Sequence, residues 1–261
     1  MNNKNFTDQI YETERFGSEG EFVGSGEDLM FMLAKALDNL EARPKQVLDV
    51  GCGAGYFTNY LKTRFSRADV YGVDISKTAI TKAKKKYKNI TFKRVNAEER
   101  LPFEDQRFDL VVCGNLIEHL VDVDNFLIEV NRVTKPGGKL ILTTPNLGSW
   151  LNRLLLLVGK QPYFAEASLI KTLPIFQIGA YIFPENLDYP ASGHLRLYTL
   201  DMLKKLLAEY GFEVVESKGA MMLESSMMSK IDRFFTLFPG LALRLVIKAE
   251  KSIKQMNNKS T

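Results

Sequence analysis

The chain has 261 residues, 45% of them hydrophobic, enough to bury a sizeable core as one full domain with an elaboration. A total of 35 Lys and Arg against 31 Asp and Glu leaves a net charge of +4, far from that of a dedicated nucleic-acid binder, so no nucleic-acid partner is expected. Two cysteines, Cys52 and Cys113, exclude a disulfide scaffold and a zinc cluster, and fit a reducing, cytoplasmic setting.

In chain order, the polar lead MNNKNFTDQIYETE has no signal-peptide pattern, and no uncharged apolar run approaches the roughly 20 residues that cross a bilayer. Residues 26–44 space Leu29, Met32, Leu33, Ala36, Leu37 and Leu40 as the core-facing stripe of a helix that stops before Pro44. Short β-rich runs at 46–51, 69–75, 90–96, 108–114 and 139–145 then alternate with helical stretches. This alternation predicts right-handed crossovers and an α/β fold with a mainly parallel sheet. Phe126, Leu127, Val130 and Val133 share one side of a helix that Pro136 ends, and Gly137 and Gly138 turn the chain into the fifth strand. The lysines of 75–89 read as a solvated helix face.

After Pro145 the rhythm breaks, and residues 147–193 mix an apolar helix with several prolines in the manner of an insertion covering something. Regular structure returns with a helix that Thr199 can cap and two further strands at 212–218 and 243–251. The chain thus divides into a lead and helix (1–45), a cofactor core (46–146), a cap or acceptor-site insertion (147–193) and closing core elements (194–261).

The informative stretch is VLDVGCGAGYFT, 47–58, where Gly51, Gly53 and Gly55 remove side chains as a buried strand turns into a helix. Asp74 closes the next strand 19 positions after Gly55, the spacing at which a carboxylate takes both hydroxyls of a ribose. A dinucleotide fingerprint is G-x-G-x-x-G, whereas this loop is G-x-G-x-G with Tyr56 in place of the third glycine. Asp49, beside the bend, would repel a diphosphate but suits the ammonium and sulfonium of a methionine-derived cofactor. The signs favour S-adenosylmethionine.

That loop, with YGVDIS, NAEERLPFEDQRFDLVVCGNLIEHL and EVNRVTKPGGKLILTTPN, resembles the class I S-adenosylmethionine-dependent methyltransferases, in the small-molecule group that includes the ubiquinone-biosynthesis O-methyltransferases. The match spans 46–146 in the family's order and spacing, and beyond Pro145 thins to GHLRLYTLDMLKKLLAEYGFEVVE. The resemblance implies a Rossmann-like doubly wound sheet of seven strands, the last pair partly antiparallel, with a cap inserted after the fifth. It further implies that Asp49 and the loop of Gly51, Cys52, Gly53 and Gly55 face the methionyl part of the cofactor. Asp74 would take the ribose and Ile75 would lie against the adenine. Asn96, Ala97 and Glu98 would read the adenine amino group, with Asn96 standing where relatives commonly carry an aspartate, and Asn115 and Leu116 would line the methyl-donor pocket.

Methyl transfer needs an in-line approach of the acceptor and exclusion of water, and an oxygen or nitrogen acceptor can also need a general base. Only two histidines, His119 and His194, are available for that role. Cys52 and Cys113 read as small buried side chains with no base nearby. Some quinone-pathway relatives bind a metal through an acid ahead of the Glu-His pair; here that position is Asn115, so no metal is expected.

The insertion carries Trp150, Tyr163, Phe164, Phe176, Tyr181, Phe183 and Tyr189, which suit a lid over a hydrophobic or ring-bearing small-molecule acceptor. It equally suits a homodimer contact or a peripheral membrane contact through 150–183, where Trp150, Leu151, Leu154, Leu155 and Val158 form an apolar stripe beside Arg153 and Lys160. The sequence therefore reads as a methyltransferase acting on a small molecule, with oxygen the favoured acceptor atom. A non-catalytic S-adenosylmethionine-binding protein and a dinucleotide-dependent oxidoreductase are the alternatives.

Overall fold

The structure is a computed structural model that describes residues 33–38, 40, 42–168, 193–221 and 227–253. Its elements run β1 (Gln46–Val50), α1 (Tyr56–Arg64), β2 (Asp69–Asp74), α2 (Lys77–Lys86), β3 (Thr91–Arg94), β4 (Phe108–Gly114), a 3₁₀ turn (Ile117–His119), α3 (Val123–Val133) and β5 (Thr134–Pro145). Then follow α4 (Trp150–Leu157), α5 (Leu200–Glu209), β6 (Phe212–Ala220), α6 (Met227–Phe235) and β7 (Arg244–Lys251).

The strands make one sheet in the order β3-β2-β1-β4-β5-β7-β6. Neighbours from β3 to β5 pair in parallel, while β7 runs antiparallel to both β5 and β6. The doubly wound, seven-stranded architecture read from the sequence is present, and the antiparallel element is the single strand β7 between two partners. The strand order reverses between β1 and β4, so the loops leaving their carboxyl ends diverge to opposite faces and open a crevice.

Period-two alternation fills both faces. Leu48, Val50, Val111, Leu140 and Leu142 pack with Phe126, Leu127 and Val130 of α3, while Val47, Leu110, Val112 and Ile141 pack with Phe57 and Leu61 of α1. Leu33, Ala36 and Leu37 are buried against the second face and Leu40 is packed beside it, as the stripe requires; Leu29 and Met32 lie outside the described residues. Ser76, Asp122, Ser149 and Thr199 each accept a backbone N–H at the start of α2, α3, α4 and α5.

Two sequence boundaries shift. The fifth strand begins at Thr134 rather than 139, because Thr134 already pairs with Phe108 before the register slips to Leu110 and Lys139. Pro136, Gly137 and Gly138 form that irregular lead, and a Cβ at Gly138 would come within 2.8 Å of the Lys135 carbonyl oxygen. The apolar stripe of the insertion also divides: Leu151 and Leu155 are buried, whereas Leu154 and Val158 are exposed. Phe176, Tyr181, Phe183 and Tyr189 lie outside the described residues. Among the described residues, no helix is long and apolar enough to cross a membrane.

Phe126 is fully buried at the centre of the α3 face. Phe126→Ala should lower unfolding stability by about 3 to 5 kcal/mol, read as a shifted urea midpoint.

Candidate functional site

The crevice at the order reversal has a volume of about 170 Å³ and gathers loops from four strands. Gly51 and Gly53 follow β1, Asp74 and Ile75 close β2, Asn96, Ala97 and Glu98 follow β3, and Asn115, Leu116 and His119 follow β4. All ten were singled out in the sequence. Val73, Ser76, Val95 and Leu120 complete the lining and carried no motif signal, being a strand end, a helix cap and two apolar loop positions.

The glycine loop continues the β1–β2 ladder. Gly51 (φ +77°) and Cys52 both donate backbone N–H groups to the Val73 carbonyl, at 2.8 and 3.0 Å. The Asp74 carboxylate then bridges two turns, accepting the Gly53 N–H and the Ser76 N–H, each at 2.8 Å. At Gly53 (φ +52°) a Cβ would meet nothing within 4 Å among the described residues, so these leave open space beside the backbone on the crevice side. That open cradle beside a carboxylate is the fit required of a ribose-bearing cofactor.

Four of the candidate residues do not line the crevice. Gly55 (φ +83°) opens α1 with no side-chain cap, and a Cβ there would lie 2.7 Å from the Phe92 ring. Cys52 is buried, its thiol pushed well above the usual range by desolvation; Cys113 behaves alike, and neither forms a disulfide. Asp49 is 3% exposed beneath the loop, where it accepts the Thr58 hydroxyl at 2.6 Å. Burial pushes its carboxyl up to about 7, with the Asp74 charge adding to the rise and the Thr58 bond opposing it. A cation placed above the loop would favour the ionised form.

The fourth, His194, belongs to an adjoining cluster. The His119 Nδ1 lies 3.1 Å from the Gly193 carbonyl and the His194 Nδ1 lies 3.2 Å from the Phe164 carbonyl. A carbonyl only accepts, so both Nδ1 atoms carry the proton and both Nε2 atoms keep a lone pair in the neutral rings. The two rings are 4.9 Å apart, and the His119 Nε2 is 4.0 Å from Glu118 Oε1. Glu118 is fully buried, neither carboxylate oxygen meets a donor in good hydrogen-bond geometry among the described residues, and desolvation raises its carboxyl to about 7 against the opposing pull of the Thr144 hydroxyl and the Arg244 charge. The return from the insertion holds this arrangement, since Leu195 and Arg196 donate backbone N–H groups to the Glu118 carbonyl.

Ligand atoms of Glu118, His119 and His194 lie within 4.8 Å of one another, so these side chains could converge on a metal ion. Counting from the motif alone, the sequence offers only Glu118 and His119 there; the third donor arrives 75 residues later in the chain through the fold. Asn115 holds a left-handed turn (φ +48°), and its side-chain oxygen accepts the Thr143 hydroxyl at 2.9 Å. Non-glycine residues in that region collect at functional sites. Sequence reasoning missed Glu118 as a buried acid and Thr143 as the buttress of Asn115, because neither burial nor cross-strand contact has a local signature.

Residues 48–142 match the family described as "Methyltransferase domain". Among characterised relatives, the chain is 33% identical over 118 residues to the ubiquinone biosynthesis O-methyltransferase of Alkalilimnicola ehrlichii, covering 44% of this chain and 46% of that protein. It is 36% identical over 119 residues to the ubiquinone/menaquinone biosynthesis C-methyltransferase of Desulfotalea psychrophila, covering 44% and 47%. The chain thus spans about half the length of the curated relatives it matches. A solved structure from Thermotoga maritima, described as an S-adenosylmethionine-dependent methyltransferase and possible histamine N-methyltransferase, aligns with a TM-score of 0.61 at 21% identity, over 94% of this chain and 99% of that one. Residues 48–142 are thus a methyltransferase domain, and the sheet order accords with the fold of solved S-adenosylmethionine-dependent methyltransferases. S-adenosylmethionine is the cofactor that this domain and fold imply.

If Asp74 holds the sugar, Asp74→Ala should weaken S-adenosylmethionine binding by about 1 to 3 kcal/mol in isothermal titration. Asp49 carries a second expectation. Its folded pKa exceeds the unfolded value of 3.8, so the stability it contributes is complete below about pH 4 and lost as pH rises through about 7. Without cofactor, Asp49→Asn should therefore lose less stability than the parent between pH 5 and pH 7.5, by about 1 kcal/mol or more in urea titrations.

Proposed function

We propose that the protein transfers a methyl group from S-adenosylmethionine to a small-molecule acceptor, with oxygen as the favoured acceptor atom. The observation that carries this reading is one crevice lined by Gly53, Asp74, Asn115 and His119, the last within reach of a buried carboxylate. The relative named as an O-methyltransferase favours oxygen, while the relative named as a C-methyltransferase keeps carbon as a second outcome of the same assay.

When bound, the cofactor supplies an electrophilic methyl on a sulfonium. Asp74 would accept the ribose hydroxyls, in exchange for part of its present hold on the Gly53 and Ser76 amides. Ile75 would cover one adenine face, and Asn96, Ala97 and Glu98 would line the amino edge. Asp49 would supply negative potential under the methionyl end without touching it, and Leu116 and Asn115 would border the reacting methyl. His119, with Nδ1 fixed by the Gly193 carbonyl, presents Nε2 as the proton acceptor for an acceptor hydroxyl, and Glu118 would stabilise the resulting imidazolium. His194 stacks behind it in the same tautomer. The aromatic residues of the insertion suit a hydrophobic or ring-bearing acceptor and the exclusion of water.

The test is release of S-adenosylhomocysteine across a panel of phenolic, hydroxylated and amine acceptors. Cofactor binding with no release for any acceptor would favour a non-catalytic binding protein. With an acceptor in hand, His119→Ala should slow turnover about 100-fold or more at unchanged cofactor affinity, and a near-normal rate would give His119 a structural role.

A further inference from the structure

We propose that the apolar face shared by α4 and the α6–β7 connection docks onto an anionic lipid bilayer, lying on the surface rather than crossing it. The proposal rests on this surface alone and not on the methyl-transfer reading.

Leu157 is 83% exposed and Leu237 72%, and Leu154, Val158, Phe234 and Phe238 are each at least half exposed. Ring contacts and helical spacing join the two segments that carry them. Trp150 stacks on Phe235 with centroids 5.4 Å apart, Phe235 meets Phe234 at 5.4 Å, and Phe234 meets Phe238 at 5.7 Å. Leu154 lies one helical turn beyond Trp150, whose N–H donates to the Leu241 carbonyl at 2.8 Å and fixes the two segments side by side. Isolated exposed leucines are ordinary, but a joined aliphatic and aromatic ridge marks a contact surface.

The charges select the partner. Residues 150–161 and 229–241 carry Arg153, Lys160, Lys230 and Arg233, all exposed, and their single acid, Asp232, is fully buried beside the Trp150 indole. A second copy related by a two-fold axis would set this cationic rim against itself. A bilayer with anionic headgroups takes both parts, with aliphatic and aromatic side chains at the acyl boundary and the cations among the phosphates. The helices involved are too short and too charged to span it.

The full chain should be tested by co-sedimentation with neutral phosphatidylcholine vesicles and with vesicles containing about one third phosphatidylglycerol. Binding should be about tenfold or more tighter to the anionic vesicles and weaken with added salt. Lys230→Gln with Arg233→Gln should reduce it about 25-fold, from a factor of about five per cation at the surface. Leu157→Glu with Phe238→Glu should reduce it about tenfold or more. Both positions are exposed, and an unchanged thermal melt would verify folding. Equal partition into neutral and anionic vesicles, or binding indifferent to both double variants, would overturn the proposal. So would a lipid-free dimer that Leu157→Glu dissociates, which would give the face to a second copy.

Discussion

The Asp74 carboxylate ties together two turns that no local preference would hold in register. One oxygen takes the Gly53 amide from the loop after β1 and the other takes the Ser76 amide at the head of α2. A carboxylate accepting backbone N–H groups makes among the stronger neutral-to-charged hydrogen bonds, and this one spans the edge of the crevice. With it in place the glycine loop stays open, and the loops after β3 and β4 close the remaining sides.

The opposite rim is built from distant sequence. Glu118 sits in the 3₁₀ turn after β4, and its backbone carbonyl is claimed by Leu195 and Arg196 as the chain returns from the insertion. That docking brings His194 against His119, beside a Glu118 side chain that is buried with no donor in good hydrogen-bond geometry among the described residues. Burial of this kind is costly unless something else satisfies the group, and such sites are where binding and proton transfer concentrate. Desolvation raises the carboxyl of Glu118, while the Gly193 and Phe164 carbonyls fix the tautomers of His119 and His194.

The fold was legible because its signals are local and repeated. Alternating apolar runs located all seven strands, and the glycine loop and Asp74 located the switch-point crevice, since the geometry of a bend and of a strand end is written in a few adjacent residues. The site was less legible where depth matters. Asp49 reads as a residue facing the ligand, yet it lies under the loop bonded to Thr58. Cys52 and Gly55 share the motif but do not line the crevice: Cys52 is buried, and Gly55 lies against the Phe92 ring. The apolar stripe on α4 reads as one face, yet packing buries Leu151 and Leu155 and leaves Leu154 and Val158 outside.

By itself the amino-acid sequence determined the alternation of strands and helices, the side-chain-free bend and the acid at the end of the second strand. Each depends on backbone preferences and spacing within a few residues. The tertiary structure alone decided that β7 runs antiparallel between β5 and β6, that Glu118, His119 and His194 meet, and that the apolar residues of α4 and α6 form one exposed ridge. These are contacts between segments far apart in the chain, and they are set by which surfaces bury together, which no short window of residues contains.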